Sequence, residues 1–548
     1  MEDALSVRYG DLLTGSYDCV DRIVLNAYHQ FAYSPGGFRT WWRRLYGSDE
    51  HLDNTHLMRM AGRFARRVRG WAKANNVPVI DCKAGERKHL IAEEYLATHT
   101  VAVGVFLVLV ARAPATVWKV TKSTSGVIVN LEKKREYVNH YSFHIRDPVW
   151  GHVTIKMSGH PPFGAQVMLN GHEYVAIAAR AAGVDLVKDG NCFSALTQPE
   201  HLAQIADTVS QPGAAGLLRD VCERWIYSAC VCFGLDINEQ ARSGFGYAYS
   251  VYQAEYSRNL LFADGARMQR LFDTVVDRTR SRLDVAMVRT LFGAKTRPHR
   301  DRKSGPPRLA AVIGTPRYDL TTFKIHFGRL TLKAYTKGEH VLRVEAITHN
   351  TAELNCGRVL DHYGDIVARL RAMAENFCTT LDCIDTSFVP DGLLDDLPQP
   401  SMIAATRVGG IDINHARMRT TIAAVTALAV APSGFTVADL AAKVHKITGS
   451  PGYTPRQAAY DLRKLRAKTL VDRIGRSHRY RVRPDAARVL VGLVALRDQV
   501  IAPVLAGVRS PRQGRKPSHW TAVDRDYEQL RITMQNLFND LAIDRAAA

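Results

Sequence analysis

The sequence predicts a multidomain α+β protein with a helical basic N-terminal region, a central region of antiparallel sheet, and a C-terminal module of three helices and a hairpin. Three observations support this fold class. Leu57 to Ala74 has the apolar spacing of a helix, residues between about 100 and 350 alternate with period two, and Met418 to Val482 passes from the first pattern to the second. The predicted parts are 1–100 (mostly helical basic region), 101–384 (central α+β region with antiparallel strands), 385–414 (linker), 415–500 (C-terminal module) and 501–548 (basic tail with an amphipathic helix).

Charge and cysteine content narrow the class of partner and the compartment. Lys plus Arg exceed Asp plus Glu by 73 − 53 = 20, which favours a polyanion over a small acidic substrate. Among the nine cysteines only Cys230 and Cys232 are closely spaced, so neither a zinc pattern nor a disulfide framework is expected. This cysteine usage fits a protein of the reducing cytoplasm. The longest apolar run, Val101 to Ala111, is too short for a bilayer, and we expect no membrane segment or membrane partner.

The N-terminal helix from Leu57 to Ala74 is strongly basic. It holds six cations and no acid, while an apolar stripe faces the core. Arg63, Arg66 and Arg67 are therefore candidates for phosphate contacts. The alternative is a solvated face that packs on acidic neighbours elsewhere in the fold, and the sequence leaves both open.

The first strand group contains two polar rows. Val105–Arg112 and Thr116–Lys122 are predicted as separate strands around Pro114, and two further strands follow from Asn139 and from His152. Period-two alternation predicts neighbouring rows with the members His140, Ser142, His144 and Arg146, and His152, Thr154, Lys156 and Ser158. A metal site or proton-transfer pair is one interpretation, but a solvated sheet face is favoured because no set of carboxylates accompanies the histidines.

The second strand group predicts a convergence of four polar side chains. Strands from Leu330 to Tyr335 and from Glu339 to Ile347 flank a three-residue loop that ends at Gly338 in the left-handed conformation. That loop separates an apolar face from a polar one. The polar face brings together Lys333, Tyr335, Arg343 and Glu345.

These four residues are candidates for cleavage of a phosphodiester. Tyr335 would be the nucleophile, Lys333 and Arg343 would neutralise the phosphate, and Glu345 would bind a divalent ion or accept a proton. The segment 332–345 is similar to a strand pair in phage and plasmid replication initiators, proteins that nick DNA through a tyrosine. The resemblance implies the same role for Tyr335. Cross-strand ion pairs on a wet sheet face are the favoured alternative. No cofactor is expected, and a divalent metal belongs only to the enzymatic interpretation.

The C-terminal module reads as a winged helix. Met418 to Val430 is an apolar-rich helix, Thr436 can cap a second, and Thr454 with Pro455 begins a third that ends near Lys468. Two short strands around Gly475-Arg476-Ser477 then form a hairpin.

Cations crowd the predicted outer surface of this winged helix. From Pro451 to Arg483 ten Lys and Arg stand against two acids, Asp461 and Asp472. Residues 417–483 resemble the MarR-type winged-helix domains of bacterial regulators, in which the third helix enters the major groove and the wing touches the backbone. The positions that the resemblance implies are Arg456, Gln457, Tyr460, Arg463 and Lys464 on the helix and Arg476 and Arg479 on the wing, where Arg473 and Arg481 add charge.

The sequence therefore predicts a cytoplasmic protein that binds DNA or structured RNA through this module, within a regulatory or mobile-element nucleoprotein complex. The alternative is a replication-initiator-like or transposition-related enzyme that nicks or joins phosphodiesters with the Tyr335 and Glu345 site. An amphipathic helix predicted from Asp524 to Ile543 could pair two chains as a homodimer.

Overall fold

The protein is an α+β protein in a computed structural model that describes most of the chain. The described residues are 4–272 and 322–497, except 84, 328–329, 355, 386–388, 404, 430–433 and 450–451, with scattered positions between 522 and 536. The chain divides into two compact units. Residues 9–270 and 312–374 form the sheet unit, and residues 1–8, 271–311 and 375–548 form the helical unit.

The helices in chain order are α1 (Ala4–Arg8), α2 (Pro35–Tyr46), α3 (Asn54–Ala74), α4 (Lys88–Thr98), α5 (Gly171–Ala181), α6 (Pro199–Asp207), α7 (Ala214–Ala229), α8 (Ile237–Ser243), α9 (Tyr363–Asp385), α10 (Leu393–Asp396), α11 (Ala416–Leu428), α12 (Val437–Thr448), α13 (Pro455–Ala467) and α14 (Pro484–Ala495). The strands are β1 (Leu13–His29), β2 (Val79–Asp81), β3 (Gly104–Lys122), β4 (Ile128–Asp147), β5 (Gly151–Ser158), β6 (Ala165–Asn170), β7 (Leu186–Asp189), β8 (Cys192–Leu196), β9 (Tyr247–Phe262), β10 (Thr322–Phe327), β11 (Leu330–Lys337), β12 (Val341–Thr348), β13 (Ser401–Ile403), β14 (Thr406–Val408), β15 (Phe435–Thr436), β16 (Asp472–Arg473) and β17 (Arg479–Arg481).

The sheet unit is built on one ten-stranded sheet in the order β10-β11-β12-β9-β1-β6-β5-β4-β3-β2. All neighbours are antiparallel except β2 and β3. The central strand β1 comes from the first hundred residues. These residues were predicted to be mostly helical and to form a separate N-terminal region. This segment instead supplies β1, with α2, α3 and α4, to the same compact unit as the central strands. The local helical signal of 57–74 gave no information on this long-range pairing.

One strand crosses a proline that was predicted to break it. β3 runs without interruption from Gly104 to Lys122, and Pro114 pairs with Tyr137 of β4. On its other side β3 is paired with β2 only from Val108 to Val110. The missing N–H of Pro114 is tolerated because it falls on this unpaired edge.

The turn between β11 and β12 has the predicted length and glycine conformation but lies two residues later. Gly338 has φ +61°, and Lys337 pairs with Val341, so the loop is Gly338-Glu339-His340. Thr336 and Lys337 extend β11 instead of forming the loop. The change in pairing is even, so every side chain keeps its predicted face.

The helical unit has its own core. Helices α11, α12 and α13 surround Ile422, Leu440 and Leu462, next to the three-stranded sheet β15-β17-β16. The predicted caps are confirmed: the Thr436 side chain accepts from Asp439 N, and the Thr454 side chain accepts from Gln457 N.

The segment predicted as a linker, 385–414, is folded onto this core over its described residues. It forms α10 and the β13–β14 hairpin, and Leu397, Val408 and Ile411 are buried. Lys468 at the end of α13 donates to Asp396 O at 2.6 Å. Its prolines and glycines mark turns within a packed segment instead of a flexible connection.

The predicted tail helix and homodimer contact lie almost wholly outside the described residues. Within those residues no helix is both long and apolar enough to cross a bilayer. The eight cysteines that the structure describes are all free thiols.

Candidate nucleic-acid interface and a buried polar cluster

Helix α13 presents one polar face and one buried face. Ala458, Leu462 and Leu465 are fully buried, as their helical spacing predicts. Arg456 and Arg463 are exposed on the opposite side. Helix α13 is therefore fixed by its apolar side and leaves its cations to solvent.

Three predicted contact residues of α13 also have structural partners. Gln457 completes the capping box, because its side chain accepts from Thr454 N at 2.8 Å. The Lys464 ammonium lies 5.2 Å from the centre of the half-exposed Tyr460 ring. This pair gives a cation and an aromatic ring at one edge of the outer face.

The hairpin β16–β17 carries four exposed arginines: Arg473, Arg476, Arg479 and Arg481. Two of them brace the hairpin, since Arg473 Nε donates to Ser477 O at 2.6 Å and Arg479 Nη1 donates to Gly434 O at 3.1 Å. Among the described residues, neither Arg476 nor Arg481 has a carboxylate partner. The nearby acid Asp472 pairs with Arg483 at 3.3 Å.

A buried carboxylate positions α13 against α11. Asp461 is fully buried, and its Oδ1 accepts from Arg417 Nη2 at 3.1 Å. Its Oδ2 accepts from Tyr453 Oη at 3.0 Å and from Thr421 Oγ1 at 3.4 Å. This acid therefore orients the cationic face of α13 and does not neutralise it.

The basic helix α3 behaves differently from α13. Arg63 pairs with Glu239 at 2.7 Å, and Arg67 lies 3.7 Å from Asp236. Both acids belong to the start of α8, so the alternative of acidic neighbours describes these two arginines. Arg66, the third candidate, remains exposed.

The predicted convergence of Lys333, Tyr335, Arg343 and Glu345 is confirmed. Glu345 accepts from Tyr335 Oη at 2.6 Å, from Lys333 Nζ at 3.1 Å and from Arg343 Nη1 at 3.3 Å. The favoured interpretation of a wet sheet face is wrong, because Arg343 is 0% and Glu345 3% exposed. The four residues form part of a buried polar cluster.

The other members of this cluster come from distant parts of the chain. Arg343 Nε donates to Asn259 Oδ1 at 2.6 Å, and Nη1 donates to Asp21 Oδ2 at 3.0 Å. Its Nη2 donates to Asn191 O and lies 3.1 Å from His172 Nε2. His172 Nδ1 is 2.6 Å from Asp21 Oδ1. With Nε2 facing a guanidinium, the imidazole is neutral and carries its proton on Nδ1.

A β-bulge in β1 places Asp21 in the cluster. Asp21 and Arg22 together oppose the single residue Glu255 of β9. As a result Asp21 points into the buried cluster while Arg22 is exposed. Burial, with Asp21 and Glu345 nearby, raises the pKa of Glu255 to about 7.

Local packing also fixes His172 at the start of α5. Asn170 caps the helix through His172 N at 2.8 Å. A Cβ on Gly171 would lie 1.8 Å from Val20 O, so only glycine allows this approach of α5 to β1.

Tyr335 is poorly placed to act as the predicted nucleophile. Burial raises the pKa of its hydroxyl, and the adjacent Glu345 raises it further. An activated nucleophile requires the opposite shift. The hydroxyl is used as a hydrogen-bond donor to Glu345.

The two histidine rows pair as predicted, but they are not solvated. His140 lies opposite Ser158, and His144 lies opposite Thr154. His140 and His144 are 8% and 3% exposed, so the solvated-face interpretation is wrong. Helix α4 covers this face through an apolar cluster that includes Ala92, Leu107 and Leu109. Sequence alternation in β4 and β5 does not show this cover.

The buried histidines predict loss of stability in acid. Burial lowers the pKa of His140 to about 4, that of His144 to about 3 and that of His152 to about 4. Lys88 and Lys156 near His140 act in the same direction; Arg146 lowers and Glu173 raises the pKa of His152. Between pH 6.5 and 4 the unfolded chain binds more protons than the folded one. The stabilisation that comes from burying these histidines in the neutral form is therefore present above pH 6.5 and lost as the pH falls.

We expect the free energy of unfolding of the sheet unit to fall by on the order of 2–4 kcal/mol across this window. His144→Gln should make the decline shallower in urea titrations at successive pH values. The matched control is His201→Gln at an exposed position, which should leave the slope unchanged. Equal slopes for wild type and His144→Gln would contradict the assignment.

Asp21, His172 and Asn259 were not identified from the sequence. Each lies more than 80 residues from Arg343 along the chain, in β1, α5 and β9. One signal was present, since Asp21-Arg22 lies between the apolar pairs Cys19-Val20 and Ile23-Val24, and a charge buried there needs a partner.

Comparison with protein-family models, curated proteins and solved structures finds no significant match to the chain. Within the residues described, no group of three or more His, Cys, Asp or Glu side chains could hold a metal ion.

Proposed function

We propose that the protein binds nucleic acid through its helical unit. In this proposal α11, α12 and α13 with the sheet β15-β17-β16 act as a winged helix of the kind that the sequence resembles. Helix α13 is the reading element and the β16–β17 hairpin is the wing. The setting we propose is a regulatory or mobile-element nucleoprotein complex.

The observation that carries the proposal is that exposed arginines on this surface are not paired with acidic side chains in the part of the chain that the structure describes. Arg456 and Arg463 on α13, with Arg476 and Arg481 on the hairpin, are exposed cations. The two acids of the same segment pair with other arginines: Asp461 is buried against Arg417, and Asp472 pairs with Arg483 on the surface. A surface with unneutralised arginines on two adjacent elements matches a phosphate backbone.

The two elements suit different contacts. A helix of this width fits the major groove of DNA, where Arg463 and Tyr460 can reach base edges. Arginines on a hairpin contact phosphates and fix the orientation without reading sequence. A structured RNA presents the same phosphates, so the choice between DNA and RNA belongs to the experiment.

The enzymatic alternative is not proposed. Its nucleophile would be Tyr335, which donates to the buried Glu345 at 2.6 Å. Its metal ligand would be Glu345, whose two oxygens are already engaged by Lys333, Tyr335 and Arg343. Both groups serve the internal ion-pair network of the sheet unit.

The test is recovery of nucleic acid that co-purifies with the full chain. Nuclease sensitivity identifies it as DNA or RNA, and sequencing identifies the site. Because two exposed arginines are removed, Arg463→Ala with Arg479→Ala should lower the recovered amount by at least about tenfold.

The matched control is Lys446→Ala, which removes an exposed cation from α12, outside the proposed interface. The amount of nucleic acid recovered with this variant should equal that recovered with wild type. No enriched nucleic acid, or enrichment that does not change in the double variant, would refute the proposed function.

A further inference from the structure

A cleft of about 680 Å³ lies in the sheet unit between α3 and the hairpin β3–β4. One wall is a stretch of α3 with small side chains, Ala61, Gly62 and Ala65. The floor includes Arg112, Tyr137 and Tyr141. The cleft thus lies between a helix and a sheet that carries aromatic rings and a cation.

The floor belongs to one face of a regular two-stranded ribbon. Trp118 pairs with Lys133, Thr116 with Arg135 and Pro114 with Tyr137, without a register shift between them. Directly opposed residues share a face, and so do alternate residues of one strand. Lys133, Arg135 and Tyr137 therefore follow one another along this face and continue it beyond the cleft.

The rings and cations of this face are open to solvent. Tyr137 is 65% exposed, and Lys133 and Arg135 are also exposed. Lys133 Nζ sits 3.7 Å from the ring centre of Tyr33, which is 68% exposed. Arg112 Nη2 donates to the backbone oxygen of Tyr137 at 3.1 Å, which holds the guanidinium at this residue.

The other face of the same ribbon differs in its charge pattern. There Lys134 pairs with Glu132 at 2.9 Å, and Lys119 lies 3.9 Å from Glu136. Lys119 and Glu136 also line the cleft, so the one acid in the lining that the structure describes is paired with a cation. Among the described residues, Lys133 and Arg135 have no carboxylate partner. On one face of β3 and β4, charged side chains are thus paired with opposite charges. On the other face, Lys133 and Arg135, the cations without such a pair in the described chain, lie between exposed aromatic rings.

A further cation, Arg66, lies on α3 beside the cleft wall. Gly62 would place a Cβ 3.4 Å from Arg66 Nη1, so Arg66 lies along the same turn of α3. Met58, one turn earlier, is 62% exposed and also lines the cleft.

We propose that this cleft and ribbon face bind single-stranded nucleic acid. Flat bases would stack on Tyr137 and Tyr33 while Arg112, Lys133 and Arg135 neutralise the phosphates. Paired bases of a duplex are stacked on each other and cannot place a ring against Tyr137 in this way. The site lies in the sheet unit and is independent of the function proposed for the helical unit.

The test uses fluorescence anisotropy of the full chain with labelled oligothymidylate and oligouridylate of about 12 nucleotides. Tyr137→Ala should weaken binding of at least one of these probes by about fivefold to a hundredfold, the usual range for loss of a stacking ring. Arg135→Ala should weaken it and reduce its dependence on salt. Unchanged circular dichroism and melting temperature confirm that each variant is folded.

Lys134→Ala is the matched control, because it removes a neighbouring cation from the opposite face of the same strand. It should bind the oligonucleotide as wild type does. Equal weakening by Lys134→Ala and Arg135→Ala would overturn the site in favour of diffuse charge attraction, and so would binding unaffected by Tyr137→Ala. Competition by polyglutamate as strong as by oligonucleotide would assign the face to an acidic protein instead.

Arg463→Ala with Arg479→Ala distinguishes this site from the helical unit. That variant should retain the single-stranded affinity even if the function proposed for α13 fails. Loss of single-stranded binding in this variant alone, with Tyr137→Ala unaffected, would place the binding on the helical unit and refute the cleft.

Discussion

Arg343→Met is expected to lower the free energy of unfolding of the sheet unit by about 3–5 kcal/mol. Methionine fills a similar space but removes the donors to Asp21 and Asn259, and one of those to Glu345. Asp21 and Glu345 are 1% and 3% exposed, so neither carboxylate can replace the lost bonds with water. Such a loss is a large fraction of the stability of a typical domain. Urea unfolding followed by tryptophan fluorescence measures it.

The control is Arg219→Met, which removes an exposed arginine paired with Asp361 at 2.7 Å. Its effect should stay below about 1 kcal/mol. The double variant Asp21→Asn with Arg343→Met should be less destabilised than the sum of its single variants, because the unpaired charge is gone. A cost of under about 1 kcal/mol for Arg343→Met would contradict the assignment of Arg343 as the centre of the cluster.

Asp461→Ala is expected to destabilise the helical unit by about 2–3 kcal/mol. It removes the acceptor of Arg417 and Tyr453, which hold α13 against α11. The cost is smaller than for Arg343→Met because Arg417 is 35% exposed and can be hydrated. Thermal unfolding followed by circular dichroism gives the comparison.

Asp472→Ala serves as the control for that experiment. Asp472 is 38% exposed and pairs with Arg483 on the surface, so its removal should change stability by under about 1 kcal/mol. Similar losses of stability in the two variants would mean that Asp461 stabilises the unit no more than a surface charge does. That result would contradict its assignment as a buried contact between α13 and α11.

The caps and the buried faces of the C-terminal helices were predictable because these signals are local. Thr436 and Thr454 each cap a helix through a residue three positions later. The spacing of Ala458, Leu462 and Leu465 likewise identifies the buried side of α13 within a few turns. For the same reason the loop length, the left-handed Gly338 and the faces of β11 and β12 were predicted from one short segment, although the pairing register was not.

The polar cluster was predictable only in part, because its remaining contacts are distant in sequence. The pair Lys333 and Glu345 lies across one hairpin, whereas Asp21 and Arg343 are separated by 322 residues. Burial is equally non-local. Alternation in β4 predicts which side chains share a face with His144, but the cover of that face comes from α4.

The most direct test of the proposed interface is the salt dependence of affinity for the nucleic acid recovered with the full chain. If α13 and the hairpin hold its phosphates, the logarithm of the association constant should fall linearly with the logarithm of salt concentration. Removal of a phosphate contact in Arg479→Ala should reduce that slope by about 1, while Lys446→Ala leaves it unchanged. The same slope in wild type and Arg479→Ala, with undiminished affinity, would contradict binding through this surface.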